Sequence, residues 1–158
     1  MGFWNSLKNA GSSVASAAQQ SINNAMAALD QQMTKEVATA SMAIAAQVAN
    51  ADGSISEVEL DAVHAVINDP DGLLASQDTD FLEAEFDRFA NSMKSPMQRR
   101  KVTKIIQELA DNSDEEKEAA FMAGVEVAAA DGKIDDDERM VLRDIAGTIG
   151  ISSSLIDA

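Results

Sequence analysis

Apolar residues recur in steps of three and four along most of the chain, which is the spacing of α-helices. The pattern predicts six helices after about Thr34, and signals for strands are nearly absent. We therefore expect an all-α domain of about six to seven helices, in which short loops make neighbouring helices antiparallel. The predicted boundaries are a first helix that ends near Ala51, a second capped by Ser56 and Glu59 and stopped by Pro70, a third opened by Asp80 and Glu83, a fourth from Pro96 to about Ala110, a fifth capped by Ser113 and Glu116, and a sixth from Asp135 to Gly150.

The first 33 residues differ in composition from the rest of the chain. Residues 1–33 contain one Lys and one Asp, are rich in Ser, Ala, Asn and Gln, and carry helical apolar spacing. We place the boundary at about Thr34, which gives a low-charge amphipathic tail over 1–33 and an acidic helical domain over 34–158. Two interpretations of the tail stay open: a marginal helix, or a reversible contact with a membrane surface or partner helix that Phe3 and Trp4 anchor.

The charge balance restricts the classes of function. Twelve Lys and Arg residues are outnumbered by 27 Asp and Glu, so the formal net charge is −15. A nucleic-acid binder that neutralises phosphates needs a basic surface, and an acidic field also repels small oxyanions. The chain has no Cys, no Tyr and one His, which leaves few catalytic groups except carboxylates, and we expect no enzymatic activity. Because no apolar run reaches transmembrane length and no signal peptide is evident, we expect a cytoplasmic protein.

An internal repeat carries the most specific signal in the sequence. Residues 48–59 align with residues 127–138, and seven of the twelve positions are identical. Each copy predicts an Ala-rich helix, an Asp-Gly turn, an apolar Ile and a capped amphipathic helix. The two copies therefore predict two pseudo-symmetric helix-turn-helix hairpins within one domain.

The repeated Asp-Gly-x-Ile-x-x-x-Glu pattern matches the second half of a calcium-binding EF-hand loop. Asp52 and Asp131 take its fifth position, and a Gly follows each of them. Glu59 and Glu138 take the twelfth position, where the loop places a bidentate carboxylate. Both copies have a Val in place of the first ligand, so a hard cation would need further oxygen atoms. Ser56 and Asp135 take the ninth position of the loop. The candidates for the further oxygen atoms are Glu57 or Asp61 in the first copy, Asp136 or Asp137 in the second, and water.

The same pattern also fits turns and helix caps that hold no metal. The repeated Gly suits a helix C-terminus, the Ser or Asp after it suits an N-cap, and the Glu suits the reciprocal position of a capping box. This interpretation leaves Asp52 and Asp131 unexplained, because a carboxylate at a helix C-terminus faces the negative end of the macrodipole. On the residues alone, both interpretations stay open.

The second copy and its surroundings resemble the C-terminal signature of the tellurite-resistance TerB family. The resemblance rests on Ala-Ala-Ala-Asp-Gly-Lys-Ile-Asp-Asp-Asp-Glu at 128–138 and on the segment 143–150 that follows. The first copy, at 51–59, is similar to the matching N-terminal half, and the opening Met-Gly-Phe-Trp is similar to the start of family members. The resemblance implies a helical, acidic, cytoplasmic protein of the Ter stress-response system.

The resemblance also implies a function and a set of site residues. Family members are regarded as calcium-binding, and as acting beside the membrane protein TerC and TerD-type calcium-binding proteins. We therefore expect a non-enzymatic Ca²⁺ adaptor or sensor, with Mg²⁺ or Mn²⁺ as alternatives, peripheral to the inner face of the cytoplasmic membrane. A helical protein–protein interaction scaffold without metal is the competing expectation. The expected ligands are Asp52, Glu59, Asp131 and Glu138, with Ser56, Glu57, Asp135, Asp136 and Asp137 as further candidates.

Two other features each have a structural and a functional interpretation. His64 lies beside apolar positions of the second helix, and its place in the repeat predicts a surface or boundary residue. The basic cluster predicts either a solvated helix face or a docking surface for an acidic partner, lipid headgroups or another copy of the chain. It consists of Arg99, Arg100, Lys101 and Lys104.

Overall fold

The computed structural model describes residues 33–70, 74–130 and 134–151. Within these ranges the chain forms six α-helices and one 3-10 turn, with no strand, which confirms the predicted all-α fold. The elements are α1 (Lys35–Ala49), α2 (Glu57–Ile67), α3 (Thr79–Ser92), α4 (Pro96–Glu108), the 3-10 turn Leu109–Asp111, α5 (Asp114–Ala128) and α6 (Asp136–Ile149). The predicted tail lies outside the described residues except for Met33. None of the described helices combines the length and the apolar character that crossing a membrane requires.

The centre of the fold is the pairing of α1 with α5, which share the most extensive contact among these helices. Both helices are rich in Ala and Val, and each buries most of its residues. Small side chains allow two helix backbones to approach closely, and the segment 42–46 of α1 is completely buried. The hydroxyl of Ser41 lies in the same contact, where it donates to the carbonyl oxygen of Ala38 at 2.7 Å. Because α1 and α5 are the first helices of the two repeated hairpins, their pairing ties the hairpins together.

The other four helices are amphipathic and bury one face against this central pair. α3, α4 and α6 all contact α1, whereas α2 packs on α5 and α3. Helical spacing places their apolar residues on a single stripe, and polar residues take the exposed side. The buried residues are Val63 and Ile67 of α2, Leu82, Phe86, Phe89 and Ala90 of α3, Val102 and Ile106 of α4, and Leu142, Ile145, Ala146 and Ile149 of α6.

Most helix ends follow the predicted signals. Complete capping boxes open α5, from Ser113 to Glu116, and α6, from Asp135 to Glu138. Pro96 stands in the first turn of α4, where its missing N–H removes no helical hydrogen bond. α6 ends at Gly150, whose φ of 80° is the left-handed conformation that favours glycine.

The start of α3 differs from the prediction. The N-cap is Asp78, which accepts a hydrogen bond from the backbone N–H of Phe81 at 3.2 Å, and Asp80 lies inside the first turn. The helix that Asp78 caps buries Leu82 and Phe86 on the side that faces the core. Asp80 in the first turn still interacts favourably with the positive end of the helix.

Candidate metal-binding cleft

The two repeated hairpins meet at one cleft of about 220 Å³. Its wall includes Asp52 and Glu59 from the first hairpin and Asp135 and Glu138 from the second. The remaining lining residues are small or apolar: Ala49, Val58, Ala62, Val63 and Ala130. The repeat predicts one acidic site in each half of the chain, whereas the fold brings carboxylates of both halves to a common cavity.

Asp52 closes the turn between α1 and α2. Its Oδ1 accepts a hydrogen bond from the backbone N–H of Ser54 at 3.2 Å, which is an Asx turn. The intervening Gly53 has a φ of 102° and donates its N–H to the carbonyl oxygen of Asn50 at 2.9 Å. The carboxylate of Asp52 therefore has a local structural role. The interpretation of the repeat as turns and caps had left this residue unexplained.

Ser56 and Glu59 form the N-terminal cap of α2. The Ser56 hydroxyl accepts from the backbone N–H of Glu59 at 3.1 Å and donates to Glu59 Oε1 at 3.1 Å. The predicted capping box is therefore incomplete, because the Glu59 carboxylate bonds to the hydroxyl of Ser56 and not to its backbone N–H. Ser56 is held at the cap and does not line the cleft.

Asp135 and Glu138 cap α6 in a reciprocal arrangement. Asp135 Oδ1 accepts from the backbone N–H of Glu138 at 2.8 Å, and Glu138 Oε1 accepts from the backbone N–H of Asp135 at 3.1 Å. The preceding Ile134 is partly buried against the core, as is Ile55 in the first hairpin. This agrees with the apolar contact that often precedes a capped helix. The predicted ligand Asp131 lies outside the described residues.

The other predicted site residues are not part of the cleft wall. Asp136 and Asp137 are exposed in the first turn of α6. Glu57 lines a separate hollow of about 480 Å³ on another side of α2, together with Asp61 and His64. Four of the nine predicted site residues are thus brought together, two from each hairpin, and each of the four also takes part in a cap or turn.

The side chains of the cleft offer the type of ligand atom that a hard cation prefers, but they offer too few of them. Carboxylate oxygens are the ligands that Ca²⁺ and Mg²⁺ prefer, and Ca²⁺ takes six to eight oxygen atoms. In the described part of the chain, however, no three Asp, Glu or His side chains converge closely enough to hold a metal ion. The cleft as described therefore provides an acidic cavity and not a complete coordination shell.

A second polar cluster surrounds His64, which is partly exposed as predicted. His64 Nε2 lies 2.7 Å from Asp87 Oδ1, and Nδ1 lies 3.6 Å from Glu83 Oε1. Glu83 Oε1 also accepts from the side-chain amide of Asn68 at 2.8 Å. Sequence reasoning did not predict these partners, although their spacing of four residues places both carboxylates on one face of α3. The cluster joins α2 to α3.

Comparison with known proteins identifies one family. Residues 38–158, which are most of the chain, match the family model described as Tellurite resistance protein TerB. No curated protein and no solved structure gave a match. The matched region includes both copies of the repeat and all six described helices except the first turn of α1. The chain therefore belongs to the tellurite-resistance TerB family.

Proposed function

We propose that this chain is a non-enzymatic adaptor or sensor that binds a divalent cation, preferentially Ca²⁺, at the cleft between its two repeated hairpins. The observation that carries the proposal is the shared wall, to which each hairpin contributes two carboxylates. Carboxylates that line one small cavity repel each other, and a divalent cation removes that repulsion. Binding would then stabilise the folded chain in proportion to the cation concentration.

The choice of cation follows from the donor atoms. The chain has no Cys, and its one His lies in the hollow on the other side of α2. Soft or borderline metals select thiolate and imidazole ligands, whereas a set of carboxylates favours Ca²⁺, Mg²⁺ or Mn²⁺. We propose that Asp52, Glu59, Asp135 and Glu138 supply the described part of the site, and that Asp131 belongs to it.

The role we propose within tellurite resistance is indirect. Conversion of tellurite to elemental tellurium is a reduction, and a chain without Cys has no thiol to supply electrons. The net charge of −15 also disfavours capture of the oxyanion itself. From the family resemblance, the proposed partners are a TerC-like membrane protein and TerD-like calcium-binding proteins at the inner face of the cytoplasmic membrane.

The test is a calorimetric Ca²⁺ titration at physiological salt with Mg²⁺ present. The cleft variant is Asp52→Asn combined with Asp135→Asn, because Asn retains both the turn and the N-cap while it removes two charges. The matched control is Asp114→Asn combined with Glu115→Gln, which changes the net charge equally in the exposed first turn of α5. We expect saturable binding that the control retains and the cleft variant loses. Asp131→Asn, tested separately, should weaken binding as well.

A scaffold without metal is the second candidate, and the capping hydrogen bonds favour it. Ser56, Glu59, Asp135 and Glu138 all have hydrogen-bonding roles at helix starts that need no cation. If the titration shows only weak, unsaturable heat of binding that salt suppresses equally in the wild type, the cleft variant and the control, the metal proposal is wrong. The scaffold without metal is then the favoured function. The stoichiometry of the titration also distinguishes one shared site from one site in each hairpin. A shared site predicts one tightly bound Ca²⁺ per chain.

A further inference from the structure

A basic face on α4 stands out in this acidic chain. The segment 89–107 contains no Asp or Glu, yet it holds five of the twelve Lys and Arg residues. Helical spacing places Met97, Arg100, Lys101 and Lys104 on one side of α4, opposite the buried Val102 and Ile106. We call these four exposed residues the basic face.

The positive charges of the basic face are not neutralised within the described part of the chain. Arg88 and Lys117, for example, form ion pairs there, whereas the structure shows no ion pair of Arg100, Lys101 or Lys104. The neighbouring Arg99 has a structural role instead, because its Nη1 donates to the carbonyl oxygen of Met93 at 2.9 Å and holds α4 against the end of α3. Within α4 only Lys104 and Glu108 have opposite charges at the i, i+4 spacing, and the structure shows no ion pair between them.

An exposed apolar side chain lies within the basic face. Met97 is 68% exposed, and only Val58 (78%) and Met140 (62%) are comparable among the large apolar residues in the described ranges. Val58 is in the first turn of α2, between Glu57 and Glu59, and lines the cleft. Met97 and Val58 are thus exposed apolar side chains among charged residues. The charges around Met97 are positive, and those around Val58 are negative.

The acidic counterpart is the pair of helix starts that flank the cleft. We call it the acidic mouth; it consists of Val58, Glu59, Asp135 and Glu138, all of which line the cleft. No residue of α4 lines the cleft. A single copy of the chain therefore presents the basic face and the acidic mouth on different elements, with neither covering the other.

We propose that the basic face of one copy docks on the acidic mouth of a second copy, with Met97 packed against Val58. An apolar contact inside a charged rim is the usual composition of a protein interface. The chain itself carries a surface complementary to the basic face, which favours a second copy over an anionic lipid surface. Because the two surfaces differ, the contact is head-to-tail, and each copy keeps one free surface for a further copy.

The net charge of −15 does not prevent this contact at physiological salt. Repulsion between whole copies acts over distances longer than the Debye length of about 8 Å, and it is largely screened. Oppositely charged groups at the contact are closer than that and continue to attract each other. We therefore expect reversible self-association at physiological salt that weakens as salt is raised further.

The experiment is sedimentation velocity over a range of protein concentrations, with a chelator present so that no divalent cation contributes. The first variant, Arg100→Glu/Lys101→Glu, reverses the basic face, and the second, Glu59→Lys/Glu138→Lys, reverses part of the acidic mouth. The control, Lys35→Glu/Arg143→Glu, lowers the net charge as much as the first variant does but lies outside both surfaces. Circular dichroism verifies that each variant is folded.

We expect the wild type and the control to associate, and each reversed variant alone to associate about a hundredfold more weakly, since like charges then oppose each other. Mixing the two reversed variants should restore association, because each retains the surface that the other requires. A wild type that remains monomeric, or association that Arg100→Glu/Lys101→Glu leaves unchanged, would overturn the proposal. So would a monomer that binds anionic lipid vesicles through the basic face, since the face would then belong to a membrane contact.

Discussion

A Cβ atom on Gly124 of α5 would lie 2.6 Å from Cγ2 of Ile44 in α1, which is closer than carbon atoms approach without a bond. It would also lie 2.9 Å from Ile44 Cβ and 3.1 Å from the carbonyl oxygen of Ser41. The last two atoms belong to the backbone or are fixed to it, so a change of rotamer cannot move them away. Gly124 therefore determines how closely the two central helices pack.

Substitution of Gly124 by Ala should lower the free energy of unfolding by about 1–3 kcal/mol, because the added methyl group overpacks the contact between α1 and α5. Ala is favoured over Gly inside a helix by about 1 kcal/mol, and the clash should outweigh that gain. Gly147 of α6 is the matched control, since a Cβ there meets no atom within 4 Å. Gly147→Ala should raise stability by up to about 1 kcal/mol. Chemical denaturation followed by circular dichroism measures both, and a gain in both variants would show that the contact is not tight.

The cap of α6 should distinguish the hydrogen-bonding role of Asp135 from its charge. Asp135→Ala removes the acceptor for the Glu138 N–H and should cost about 1 kcal/mol of unfolding free energy. Asp135→Asn keeps an acceptor and should change stability little. Thermal denaturation in a chelator measures the two variants without any contribution from a cation. Equal losses in both would indicate that the charge, and not the cap, stabilises this helix start.

The Asx turn at Asp52 leads to a similar pair of variants. Asp52→Ala loses the hydrogen bond from Ser54 and should cost up to about 1 kcal/mol, because the bond is exposed to solvent. Asp52→Asn keeps the bond and removes a negative charge close to the C-terminus of α1, so its stability should be unchanged or slightly higher. These values apply in a chelator. With Ca²⁺ added, the wild type should gain stability and Asp52→Asn should not, if the cleft binds the cation.

The two proposals make a joint prediction. The acidic mouth surrounds the cleft, so a bound Ca²⁺ would neutralise part of the surface on which the basic face docks. Ca²⁺ should therefore weaken self-association, and self-association should weaken Ca²⁺ binding by the same factor. Sedimentation with and without Ca²⁺ measures the first effect, and titration at low and high protein concentration measures the second. No effect in either experiment would indicate that the two processes use different surfaces.

The helices and most of their caps were predictable because their signals are local. A capping box spans four residues, and Pro96 fixes its own backbone angle, so neither depends on distant packing. The start of α3 was not predictable in the same way. The capping-box spacing favours Asp80, because Glu83 follows it by three residues whereas Phe81 follows Asp78. The structure uses Asp78, since an N-cap needs only a side-chain acceptor for the N–H three residues later, and Asp78 provides it to Phe81.

The arrangement of the candidate site depended on contacts far apart in the sequence. The repeat identified Asp52, Glu59, Asp135 and Glu138, but nothing in its spacing specifies that α1 packs on α5 and brings these four side chains to one cleft. The link from His64 to Asp87 also crosses between two helices. The turn role of Asp52 was within reach of the sequence, since Asp commonly bonds to the backbone N–H two residues later.

The pairing of α1 with α5 also determines how the cleft can respond to whatever binds there. Each hairpin contributes one of these two helices, and the contact between them is the most buried region of the fold. A hinge motion that separated the hairpins would have to expose this region, which makes wide opening energetically expensive. The walls of the cleft are thus preorganised, and an incoming ligand meets a surface already in place. Its rate of capture would then be governed by diffusion and by the attraction of the acidic field, without a slow conformational step.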